Sequence, residues 1–124
     1  MDKSNDEELL IYILQSIDLV HKWFTAIESS DDFLQNDAGL MRLDAISMRP
    51  RSIGEAIKNI DKRNRNLLLS AADSEYWSKI IKTREILTHH YISIDVETVF
   101  EICDTHLDML ENRIETLLRH IQAS

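Results

Sequence analysis

The chain is short of the residues that bend, cross-link or anchor a polypeptide. Its 124 residues hold one proline and two glycines, too few for the tight turns of an all-β fold. A single cysteine cannot close an internal disulfide, so nothing calls for an oxidising compartment. No apolar run approaches the roughly 18 residues that a membrane span needs. The opening stretch MDKSNDEE is acidic, where a secretory leader is basic and then apolar. These absences lead to the expectation of a soluble, cytoplasmic protein with no membrane partner. No glycine-rich phosphate loop is present, and neither Cys103 with His106 nor Glu97 with Glu101 makes a convincing ligand set, so no metal and no cofactor are expected. Positive charge is scarce as well. Fourteen Lys and Arg face 22 Asp and Glu, a net charge of -8, which argues against generic nucleic-acid binding, DNA included.

What remains is rich in Leu, Ile, Glu, Lys and Arg, a composition that suits helices. Ser4-Asn5-Asp6-Glu7 has the spacing of a capping box. Leu10, Ile13, Ile17, Val20, Phe24 and Ile27 then recur in steps of three and four, one face of a long amphipathic helix. Ser29 to Asp32 ends it and caps a short turn, with Phe33 and Leu34 packing inward. A second helix is predicted from Asp37 to about Asp61, kinked or broken at Pro50, with Ile53, Ala56, Ile57 and Ile60 continuing its apolar face. Leu67-Leu68-Leu69 suits either a short helix or a buried loop. Ser74-Glu75-Tyr76-Trp77 reads as a helix start, followed by Ile80, Ile81 and Leu87 on a partial apolar face.

Ile92-Ser93-Ile94 reads as a turn, with Asp95 as the N-cap of the last helix. There Val96, Val99, Cys103, Leu107, Leu110, Ile114, Leu117 and Ile121 step by three or four throughout. Cys103 lies on that stripe and is expected to be a small core residue; Trp77 and Phe100 are expected in the core too. The whole is an all-α chain of four or five helices with short connections, an up-down bundle forming one domain over residues 1–124.

Charge is not spread evenly. Residues 1–41 carry net -7, residues 42–84 net +5, and residues 85–124 net -6. At the end of the basic segment stands TREILTHHY, with Arg84, His89, His90 and Tyr91 close together. On a regular helix Arg84 and Tyr91 lie about 20° apart, while His89 falls about 140° from Arg84. A long arginine curling back, or a second copy of the chain, would be needed to bring Arg84 and His89 together. The residue types suit metal-free RNA cleavage. A histidine takes and gives protons near neutral pH, and an arginine keeps its charge and holds a phosphate through two parallel hydrogen bonds. Read without further context, a surface ion pair and a helix-end histidine suit Arg84 and His89 better. The basic run Lys58, Lys62, Arg63 and Arg65 is better read as a solvated helix end than as an RNA contact.

Arg84, His89 and Tyr91 reproduce the R-x-x-x-x-H-x-Y motif of HepT-like toxins of the HEPN superfamily, and the chain resembles that family beyond the motif. SIGEAIKNI (residues 52–60) is similar to its mid-chain IGEA helix. YWSKIIKTRE (residues 76–85) resembles its Trp-led approach to the motif, and HYISIDVETVFEI (residues 90–102) the stretch that follows. The likeness covers roughly residues 8–111. It implies a helical homodimer with two motif copies facing a cleft, acting as a metal-independent ribonuclease. It also implies a minimal nucleotidyltransferase antitoxin as partner, which transfers AMP to the motif tyrosine. On that resemblance Arg84 binds the phosphate and the transition state, His89 is the general base or acid, and Tyr91 is the residue modified. The chain has no nucleotide-binding motif, so the partner would supply the AMP.

One position departs from the family pattern. The residue after the motif arginine is usually small and polar, most often asparagine; here it is Glu85, whose carboxylate repels RNA and is able to pair with Arg84. His90 fills a position that the motif leaves free. Glu85 and the net charge of -8 keep a second reading in view, a helical partner that docks a nucleotidyltransferase and cleaves nothing. A third keeps only self-association through the apolar stripe of the last helix.

Overall fold

A computed structural model of the chain describes residues 3–89 and 96–123, with side chains described over 5–83 and 96–123. The side chains of Arg84, Glu85, Leu87 and His89, and all of His90, Tyr91, the Ile92–Ile94 turn and the Asp95 cap, lie outside the described residues. Among the described residues the chain is helical and has no strand. No helix there is long and apolar enough to cross a membrane.

The first helix, α1, spans Lys3–Phe24. Leu10, Ile13, Ile17 and Val20 are fully buried along one face, and Phe24 tilts against Phe100 with ring centroids 5.1 Å apart. The helix starts ahead of Ser4, so the predicted capping box lies inside it. Asp6 has been drawn into the interior, where Arg63 donates to its carboxylate at 2.6 Å. A 3-10 turn follows at Ser30–Leu34, held by the Asp32 carboxylate, which accepts from the backbone N–H groups of Glu28 and Ser29. Phe33 is buried as expected, but Leu34 is 57% exposed. Three residues per turn carry adjacent side chains to different sides, so only one of the pair packs inward.

Helix α2 spans Asp37–Leu69 and is capped by Asn36, whose side chain accepts from the Gly39 N–H at 2.8 Å. A Cβ at position 39 would collide with the carbonyl oxygens of Asp32 and Phe33, so the close approach of this helix to the preceding turn requires glycine. The helix runs on past Asp61 and passes through Pro50. Its backbone leaves helical dihedrals at Asn64 instead (φ -150°, ψ 63°). The Asn64 side chain then accepts from the Leu67 N–H at 3.3 Å, which re-caps the final turns. Leu67–Leu69 is therefore helical; Leu68 is buried and Leu69 exposed.

Helix α3, Ser74–His89, starts where the Asp73 carboxylate accepts from the Tyr76 N–H at 2.9 Å. Trp77 is buried, and its indole N–H donates to the Leu68 carbonyl at 2.7 Å, tying α3 to the end of α2. Helix α4, Val96–Glu101, continues through a π turn, Ile102–His106, into α5, Leu107–Ala123. The π turn has a reason in the sequence. Val99 to Cys103 to Leu107 are two four-residue steps in a row, and at about 100° per residue they would swing the stripe some 80° off line. A locally wider turn absorbs that excess. Val99, Cys103, Leu107, Leu110, Ile114, Leu117 and Ile121 are then all buried, so the stripe is spent inside the chain and is not a surface for self-association. Helix α1 packs between α2 and α5, and α3 lies against α2.

Candidate functional site

Helix α3 carries the chain from the Trp77 anchor to the motif. It is helical through His89, so Arg84 and His89 stand on one helix and the angular offset of about 140° applies to them. Thr83, the last residue before Arg84, donates its hydroxyl back to the Lys79 carbonyl at 3.0 Å. Thr83 also lines a cavity of about 430 Å³ between α3, α2 and the π turn, with Tyr76, Ile80, Ile53, Ile102 and His106 among its walls. The cavity is mostly apolar. His106 lies 3.8 Å from the Glu101 carboxylate.

Two tyrosines outside the motif differ in environment. Burial pushes the Tyr76 phenol up, against the lowering effect of Arg113; its hydroxyl is buried without a hydrogen-bond partner, and the Arg113 guanidinium sits 5.7 Å from its ring centre. The Tyr12 phenol is held below its ordinary value by a hydrogen bond with Ser52, with Ser16 and Arg49 adding to the effect against some desolvation. Tyr12 lines an open groove of about 460 Å³ between α1 and α2, with Met48, Arg51, Ser52, Glu55 and Asn59 among the other walls.

The remaining sequence candidates sort by their surroundings. Burial, and then Asp104, push the Cys103 thiol up to about 12, so it stays protonated and inert at neutral pH. Arg63 holds Asp6, and Arg65 pairs with Asp61 at 3.2 Å. Arg65 is an exposed, solvated helix residue as expected, whereas Arg63, also exposed, is tied to a buried carboxylate. Lys58 is half-buried and Lys62 exposed. Sequence spacing did not bring together His21, Asp108 and Glu111, whose ligand atoms lie within 4.8 Å of one another across α1 and α5. It also missed the α1–α2 groove. The available signal was Tyr12, an aromatic off the apolar stripe of its helix, with Arg51 and Ser52 ahead of the IGEA stretch.

The family model described as "Ribonuclease HepT-like" matches residues 13–117. The chain is 27% identical over 112 residues to a Methanocaldococcus jannaschii protein named "Gamma-glutamylcyclotransferase and putative RNase", a match covering 90% of this chain and 47% of that one. It is 36% identical over 76 residues to the flagellar biosynthesis protein FlhF of Campylobacter jejuni, covering 60% of this chain and 16% of that protein. The chain thus spans less than half the length of these curated relatives. No solved structure matches.

Proposed function

We infer that this chain, which belongs to the ribonuclease HepT-like family, is a metal-independent endoribonuclease and the toxin of a toxin–antitoxin pair. The match over residues 13–117, with Arg84 and His89 on one helix, carries the reading. The word RNase in the name of the M. jannaschii relative supports it. In the proposed reaction His89 takes the proton of an RNA 2′-OH. That oxygen attacks the adjacent phosphorus, and the bond from phosphorus to the 5′ oxygen breaks. The products are a 2′,3′-cyclic phosphate and a 5′-hydroxyl, the leaving oxygen taking its proton from a second acid. Arg84 binds the non-bridging oxygens and stabilises the charge that gathers on them. Acid–base help of this kind contributes about 10²–10⁴-fold.

A homodimer supplies the second acid, since one helix holds Arg84 and His89 apart and two copies facing a cleft complete each other. Silencing follows when a minimal nucleotidyltransferase antitoxin brings ATP to Tyr91: the phenol oxygen, losing its proton, attacks the α-phosphorus, the α–β anhydride bond breaks, and pyrophosphate leaves. The test is cleavage of mixed single-stranded RNA by the purified chain in EDTA beside its His89→Ala variant. Cyclic-phosphate ends from the parent, and at least a 100-fold loss in the variant, are expected. Equal cleavage by both would remove His89 from the chemistry.

The second reading, a helical partner that docks the nucleotidyltransferase and cuts nothing, rests on Glu85 beside the phosphate-binding arginine and on the net charge of -8. Glu85→Asn separates the two readings. If Glu85 restrains a working site, the substitution raises cleavage; continued silence favours the docking role.

A further inference from the structure

We propose that the groove between α1 and α2 is a subsite for single-stranded RNA, in which Arg51 takes a backbone phosphate and Tyr12 stacks against a base. The proposal rests on the ribonuclease reading and extends it to how the substrate is held. The first observation is that two arginines beside the groove, Arg49 and Arg51, take part in none of the described ion pairs. The described Lys and Arg ion pairs use Lys22, Arg63, Arg65 and Lys79. Arg51 has only the Met48 sulfur, 3.7 Å from its Nη1. Arg49 donates to the Ser16 hydroxyl at 3.2 Å and lies 5.9 Å from the centre of the Trp23 ring. Glu55 stands one helical turn beyond Arg51 and lines the same groove, yet Arg51 is in none of the described ion pairs, and its fork of donors suits an incoming phosphate.

The second observation is what stands beside them. Tyr12 is 36% exposed and Met48 53% exposed, and both line the groove with Ser52 and Asn59. An aromatic face with a cation and short polar side chains around it is what single-stranded RNA needs. The bases stack, the backbone meets a positive charge, and the base edges find hydrogen bonds. At about 460 Å³ the groove falls within the usual size of a small-ligand site. Its α2 wall, with Arg51, lies in residues 42–84, which carry net +5, while its α1 wall, with Tyr12, lies in residues 1–41, which carry net -7.

The test measures binding of a short fluorescent RNA with 2′-O-methyl riboses, which lacks the nucleophile and stays intact. Tyr12→Leu is expected to weaken binding roughly 5- to 150-fold, with its salt dependence unchanged, while Tyr12→Phe binds like the parent. Arg51→Ala is expected to weaken binding and reduce the salt slope by about 0.7, the share of one phosphate on a single strand. Arg119→Ala, on the exposed side of α5, is the control and should match the parent. Circular dichroism confirms that each variant is folded. If the parent cleaves RNA in a His89-dependent way and both groove variants bind like it, the subsite is wrong and the nuclease stands. If the parent neither binds nor cleaves RNA, both fall together.

Discussion

The seam between α1 and α5 and the junction at the end of α2 are built on different physics. The seam is apolar, with Leu10, Ile13, Ile17 and Val20 on one side and Leu110, Ile114 and Leu117 on the other. Its stability grows with the area taken from water, and no single atom decides it. The junction is polar and specific. A fully buried Asp6 carboxylate, the Arg63 guanidinium, the broken backbone at Asn64 and the Trp77 indole each need one partner in one place. A seam of the first kind tolerates adjustment, whereas a junction of the second kind fails when one member is removed.

Substitutions on each side test that contrast. Arg63→Ala should be the most damaging, at about 3–5 kcal/mol, because it strands a buried carboxylate. Chemical denaturation would show this as a lower midpoint. Replacing both partners, Asp6→Leu with Arg63→Met, should recover most of the loss, and a double variant as unstable as the single one would show that the ion pair is not what costs. Ile114→Ala in the seam should cost about 2–5 kcal/mol, set by how far the neighbours close the gap. Trp77→Phe removes the indole N–H from the Leu68 carbonyl, which still accepts from the Ala71 and Ala72 N–H groups, so the lost hydrogen bond should cost about 0.5–1.5 kcal/mol. A midpoint unchanged in that variant would mean the two backbone donors satisfy the carbonyl without the indole.

One effect appears only at high pH. The Cys103 thiol is raised from 9.0 to about 12 by burial, with Asp104 adding to it. Above pH 9 the unfolded chain loses that proton and the folded chain keeps it, so stability falls as pH rises toward 12. The slope is at most about 1.4 kcal/mol per pH unit. In Cys103→Ala the stability curve from pH 9 to pH 11 should be flatter than in the parent.

This contrast also decides what the sequence made legible. The seam was readable because its signal is local. Steps of three and four along one helix say which side is buried, and every predicted stripe residue from Val99 to Ile121 is buried. The junction was not, because its partners are 57 positions apart. Asp6 read as part of a cap and Arg63 as a solvated helix end, each a sound local choice. The α2 break moved from Pro50 to Asn64 for the same reason. Proline removes one hydrogen bond, while Asn64 gains a tie to Asp6 and a cap on Leu67, and only the first of these can be seen along the chain. At the motif, residue types and spacing were ambiguous, and it was the resemblance to the HepT-like family that named Arg84, His89 and Tyr91. The groove beside Tyr12 needed two helices side by side before it existed.

The π turn at Ile102–His106 has a consequence for how this chain can change length. It holds one residue more than an ordinary helical turn would. Deleting Asp104 or Thr105, both exposed, would let the segment relax into plain α-helix with Val99, Cys103 and the following leucine still on one side. The same deletion in the middle of α5 would rotate everything beyond it by about 100° and turn the buried stripe toward water. The segment therefore carries its own slack: one codon can be lost there, and almost nowhere else in the last helix, without unseating the core.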